Sequence, residues 1–121
     1  MKQDEKFIKK SAEIMRSLGH PARMDILILL MNNERKKMSV TQIHEQLGLT
    51  QPETSRHLSI LKNSSVLCCE REKSNSFYFI NWEDSFICSL SNCIGEDVKE
   101  NNSDREASRS KTKIGKWKKL N

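Results

Sequence analysis

The 121-residue sequence predicts a mainly α fold carrying one β-hairpin between its helix pair and its last helix. Three observations point there. Two short helices with capping signatures follow one another between residues 39 and 63; the run 24–31 is apolar almost throughout; and the β-prone runs "VLCCERE" and "FYFIN" flank a polar "KSNS". Composition agrees, with 36% hydrophobic and 6% aromatic residues, enough for a modest helical core but thin for a sandwich or barrel.

Taken in order, residues 5–18 place Phe7, Ile8, Ala12, Ile14, Met15 and Leu18 at amphipathic-helix spacing, and Gly19 ends the element. In "HPARMDILILLMNN", Pro21 suits a first helical turn. Met24, Ile26, Leu27, Leu29, Leu30 and Met31 then make a helix buried on most sides, the expected core. The polar "NNERKK" is a loop. Ser39 with Gln42 forms a capping box opening "VTQIHEQL", whose apolar positions are Val40, Ile43 and Leu47, and Gly48 closes it. Thr50 with Glu53 repeats the box for a helix running to about Asn63. Two short helices joined by a Gly-containing turn form a helix-turn-helix, and the hairpin that follows is its wing. Asn81 with Asp84 is expected to cap a last helix with the stripe Phe86 or Ile87, Leu90, Ile94 and Val98.

The net charge of +5 is unevenly placed. Residues 1–98 hold 13 basic and 13 acidic side chains, and residues 99–121 hold 8 and 3. The expected organisation is therefore a neutral winged domain over 1–98 and a basic tail over 99–121, too poor in apolar residues to offset its ordering entropy. No run approaches the roughly 18 to 20 apolar residues of a membrane-spanning helix, and the start "MKQDEKFIKK" has no apolar signal core. A cytoplasmic protein with its four cysteines reduced is the expectation, with no membrane partner. The first and last helices each carry an apolar stripe that so short a chain cannot easily cover, which favours a homodimer formed through them.

The stretch "LGLTQPETSRHLSILKN" gathers its apolar residues late, at Leu58, Ile60 and Leu61, so the C-terminal half of the helix must hold it to the core. Its first turns then offer Thr50, Gln51, Thr54, Ser55, Arg56 and His57, donors and acceptors suited to base edges and phosphates in a DNA major groove. The helix start also presents free amides and a positive dipole end to phosphate.

"LGHPARMDILILL" at 18–30, "LGLTQPETSRHLSILKNSSVL" at 47–67 and the hairpin "CEREKSNSFYFI" resemble the ArsR/SmtB family of winged-helix repressors, over roughly residues 7–95. The family pattern of Ser-Gln-Pro followed by Ser-Arg-His-Leu is matched by Thr50-Gln51-Pro52 and Ser55-Arg56-His57-Leu58. The resemblance implies a homodimer that binds a palindromic double-stranded DNA operator and represses transcription until an inducer releases it. It implies that Thr50, Gln51, Thr54, Ser55, Arg56 and His57 face DNA, with Arg71 and Lys73 of the wing on the backbone; Lys62 completes the expected contact set. Two positions depart from the family: Glu53 stands where a small residue is usual, and Ser64-Ser65 replaces a small-Gly turn.

Metal-sensing members place a Cys-x-Cys near the start of the helix before the recognition helix, or Asp and His ligands on the last helix. Here the first positions read Ser39 and Thr41, and no histidine follows His57, so no metal and no cofactor are expected. Cys68 and Cys69 are neighbours on a strand and point apart, and Cys88 and Cys93 diverge by about 140 degrees around a helix. Cys88 and Cys93 are the candidate redox residues. With no acid-base pair, phosphate loop or nucleophile motif, the chain reads as no enzyme. The alternatives to a DNA-binding repressor are a winged-helix module that binds protein, kept open by the neutral charge of 1–98, and a thiol-based redox regulator.

Overall fold

The computed structural model describes residues 2–33 and 36–105. They form α1 (Lys2–Leu18), α2 (Pro21–Asn32), β1 (Met38–Ser39), α3 (Val40–Leu47), α4 (Gln51–Asn63), β2 (Leu67–Glu72), β3 (Asn75–Ile80) and α5 (Ser85–Arg105). The strands pair antiparallel in the order β1-β3-β2.

Burial follows the apolar pattern. Ile14 and Leu18 of α1, Ala22, Ile26, Leu27 and Leu30 of α2, Ile43 and Leu47 of α3, and Leu58 and Leu61 of α4 close one core with Val66, Leu67, Ile80 and Ile87. α2 is its centre, with Met24, Leu29 and Met31 packed half-buried at the edge. On its far side α5 approaches closely: a Cβ added at Gly95 would lie 3.2 Å from the terminal methyl of Met31.

Local chemistry sets most boundaries. Ser39 Oγ accepts the Gln42 amide at 3.2 Å and the Ser39 amide donates to Gln42 Oε1 at 2.9 Å, a complete capping box. Gly48 ends α3 at φ 68, ψ 23, left-handed backbone that other residues adopt only at a cost. Ser39 is also the last residue of β1, a strand that sequence patterning did not indicate; two residues are too few to show a period of two, and only the pairing of Met38 with Tyr78 and Ser39 with Phe77 reveals it. The polar tip is shorter than the four residues "KSNS": Asn75 and Ser76 join β3, leaving Lys73 and Ser74 between the strands, with Lys73 at φ 57.

The helix after the wing is capped differently from expectation. Asp84, not Asn81, accepts the Ile87 amide at 3.0 Å, and its other oxygen meets Lys10 Nζ at 2.6 Å. The Lys10 bond, aided by the backbone amides, holds the Asp84 carboxyl below the usual carboxylate range and ties α1 to the start of α5. Asn81 instead donates from its side chain to the Ser65 carbonyl at 3.1 Å, and from its amide to Val66 at 3.0 Å, fastening the end of β3 to the corner after α4. α5 then continues to Arg105, so the boundary expected at residue 98 falls inside a helix; residues 106–121, most of the expected tail, lie outside the described residues.

That corner is where Ser64-Ser65 stands. The Val66 amide donates to the Leu61 carbonyl and the Ser65 amide to Lys62, both at 3.0 Å, which is the Schellman pattern of a helix C-terminus. Ser65 sits at φ 67. A side chain there costs about 1–2 kcal/mol, partly offset because glycine gives up more backbone entropy on folding. Ser65→Gly is therefore expected to stabilise the fold by about 0.5–1 kcal/mol, read as a higher urea midpoint at fixed protein concentration. A lower midpoint would show that the corner is unstrained.

Candidate nucleic-acid interface

α3 and α4 are joined through Gly48, Leu49 and Thr50, with Leu49 buried in the turn. Thr50 caps α4: its hydroxyl accepts the Glu53 amide at 3.2 Å and donates to Glu53 Oε1 at 3.1 Å. The expected capping box is thus only half made, because the Glu53 carboxylate reaches the Thr50 hydroxyl rather than its amide. This engages the Thr50 hydroxyl and holds the negative charge of Glu53 at the positive end of the helix. It also thins the expected row of free amides, since Pro52 has no N–H and that of Glu53 is taken.

Gln51, Ser55, Arg56 and Lys62 are exposed, as the outward reading of α4 requires. Thr54 is not. It is fully buried, its hydroxyl donating to the Thr50 carbonyl at 2.9 Å, so it faces the core beside Leu58 and Leu61. His57 is also displaced from the expected surface: it is half-buried, its ring 4.8 Å from that of His20 and its Nδ1 3.4 Å from the Arg23 guanidinium. At 100 degrees per residue the face opposite the buried side is Pro52, Arg56, Ser59 and Asn63, all exposed. Ser59 and Asn63 are absent from the sequence-derived set. The spacing 52, 56, 59, 63 signals them once the inward side of α4 is known.

The pleat of the wing sorts its charges. Leu67, Cys69 and Arg71 share one face of β2, paired with Ile80, Tyr78 and Ser76, and Leu67 and Ile80 carry that face into the core. Glu70 and Glu72 lie on the other face, where Lys37 Nζ meets Glu72 at 2.5 Å and Glu70 at 3.6 Å and stands 5.4 Å from the centre of the Phe77 ring. Lys37 offsets part of the acidic charge at that face, while Arg71 and the turn residue Lys73 are exposed.

The cysteines are free thiols. Burial raises Cys68, with Glu83 adding to it, and Tyr78 is raised by burial and by its contact with Cys69. Cys88 is half-buried and Cys93 exposed on α5, on diverging sides of that helix, so the structure does not bring the two redox candidates together. Among the described residues no group of three or more His, Cys, Asp or Glu side chains is placed to hold a metal ion, and no helix is long and apolar enough to cross a membrane.

Comparison with known proteins supplies the lineage. The sequence pattern of the bacterial regulatory proteins of the arsR family matches residues 20–66, from the start of α2 to the corner before the wing. An uncharacterised HTH-type transcriptional regulator of Methanocaldococcus jannaschii is 40% identical over 72 residues, which cover 60% of this chain and 79% of that one. The chain belongs to the arsR family. The family match spans the helix pair that presents Gln51, Ser55 and Arg56. The biofilm growth-associated repressor of Xylella fastidiosa is 30% identical over 74 residues, covering 61% of this chain and 62% of that protein. In fold, the chain resembles a homodimeric winged helix-turn-helix DNA-binding domain of Mycobacterium bovis, with a TM-score of 0.67 at 20% identity over 83% of this chain and 88% of that one.

Proposed function

We propose that this arsR-family regulator binds double-stranded DNA as a homodimer and represses transcription from a specific operator until a signal releases it. The observation that carries the proposal is the two-sided build of α4. Thr54, Leu58 and Leu61 hold one side in the core, while Arg56, Ser59 and Asn63 opposite and Gln51 and Ser55 at the flank are exposed and polar, with Ile60 the exposed apolar residue beside them. Such a face matches the donor and acceptor pattern of base edges, while Arg56, Lys62, Arg71 and Lys73 meet phosphate oxygens. The repressor in Xylella fastidiosa supports the direction of regulation.

The dimer rests on α1. Ile8, Ala12 and Met15 recur at helical spacing and are exposed, Ile8 by 63% and Met15 by 55%. Phe7 turns toward α5, its ring edge-on to Phe86 at 6.0 Å. An apolar stripe beside the last helix suits burial against a second copy, which would space two α4 helices about one DNA turn apart.

Affinity for duplex DNA measured from 50 to 200 mM salt tests this reading. Some eight basic contacts per dimer predict a log–log slope of about −7. Light scattering on the same sample should give twice the 14.1 kDa chain mass. A slope near zero would return the wing and α4 to the protein-binding alternative.

A further inference from the structure

We propose that His57 is a positioning residue rather than a base reader: docked as a neutral ring on Arg23 and His20, it sets the angle of α4, and acid that protonates His57 lowers DNA affinity. The proposal rests on the DNA-binding reading for its effect and on geometry for its cause.

The geometry is a relay across three helices. Arg23, on α2, donates from Nε to the Ser17 carbonyl at the end of α1 and points Nη1 at His57 Nδ1 of α4, 3.4 Å away. A guanidinium has donors only, so this Nδ1 must offer its lone pair, and the ring proton sits on Nε2. His20 is committed in the same way. Its Nδ1 accepts the Ala22 amide at 3.0 Å and so caps α2. The two rings lie 4.8 Å apart at 44 degrees. Each ring therefore spends the one nitrogen on which protonation turns an acceptor into a donor facing another donor.

The charges around His57 reinforce the effect. His20, the cap of α2, and Arg23 of α2 face it from one side, Arg56 and Glu53 belong to α4, and of these only Glu53 favours an added proton. Burial first, then His20 and Arg23, push His57 below the ordinary histidine range. A histidine lowered in the fold contributes stability that is complete above its unfolded value of about 6.5 and is lost as pH falls from there through the folded value. The docked ring is thus secure at neutral pH, and its docking weakens as pH falls below the ordinary histidine value. Arg56, the neighbouring residue on the outward face, moves with it.

The sign separates this role from a direct contact. A histidine facing phosphate would tighten binding on protonation, as general acid charging of any protein does. The full chain is tested on the tightest-binding duplex selected from a random-sequence pool at pH 8, at constant ionic strength. The dissociation constant is expected to rise between pH 8 and pH 5.5, by up to about tenfold, the limit for one group whose undocked value of about 6.5 lies one unit above the lower pH. The double variant His20→Asn, His57→Asn offers a carbonyl in place of each Nδ1 that no proton can occupy, and its affinity should hold or rise between pH 8 and pH 5.5. A wild-type affinity that holds or improves in acid, or an equal acid loss in the variant, overturns the proposal. Nitrogen-15 shifts of the imidazoles at pH 8 give a readout that needs no DNA: a bare Nδ1 on both rings supports the docking, and a protonated Nδ1 on His57 overturns it. Should no duplex be retained at pH 8, the DNA-binding reading fails, and those shifts still decide the docking.

Discussion

Replacing Gln51 and Arg56 together by alanine is expected to weaken binding to duplex DNA by at least about 100-fold, with little change in the unfolding midpoint. Both side chains are exposed near the start of α4, and neither belongs to the core. A side chain on a base edge contributes about 1–3 kcal/mol and a hydrogen bond to a charged phosphate about 1.5–3 kcal/mol, and a dimer loses both contacts twice, which is enough for that ratio. Exposed substitutions of this kind usually shift stability by no more than about 0.5 kcal/mol. The natural control is Thr54→Val. Its hydroxyl is buried against the Thr50 carbonyl, so this change should cost about 1 kcal/mol of stability and act on DNA affinity only through the fold. Fluorescence anisotropy beside urea unfolding separates the two patterns. Wild-type affinity in the double variant would remove the outward face of α4 from the contact surface.

Leu58→Ala should instead act on the fold, costing about 3 kcal/mol within the range of 2–5 for a buried leucine. Leu58 is fully buried on the inward side of α4, between the levels of Thr54 and Leu61. Alanine leaves a cavity in the close-packed core that relaxation of the surroundings fills only in part. Set against total stabilities of about 5–15 kcal/mol for single domains, that is a large fraction. The loss should also reduce DNA affinity, because α4 is held through this side. Unfolding must be compared at one protomer concentration, since dimerisation contributes to apparent stability. A cost below about 1 kcal/mol would show that α4 is anchored elsewhere.

Much of the scaffold behind these effects was legible from short-range chemistry. Ser39 and Gln42 close their capping box as their spacing requires, Gly48 takes the left-handed turn, and Pro21 opens α2 behind the His20 cap. Where such signals competed, spacing alone chose wrongly. Asn81 and Asp84 both suit a helix start, and Asp84 is the cap because Lys10 of α1 meets its carboxylate, leaving Asn81 to fasten the corner at Ser65. β1 was invisible because two residues become a strand only when β3 lies beside them.

The helix pair, its turn, the hairpin and the apolar stripes were determined by the amino-acid sequence itself, since caps, left-handed turns and periodicity act over a few residues. Tertiary structure decided which way the first turns of α4 look. Thr, Gln, Glu, Thr, Ser, Arg and His are polar on every side, and no apolar residue there marks the inward direction. The packing of α4 on the core marks it, burying Thr54, while the contact with α2 docks His57 on Arg23 and His20, so that Gln51, Ser55 and Arg56 are left exposed.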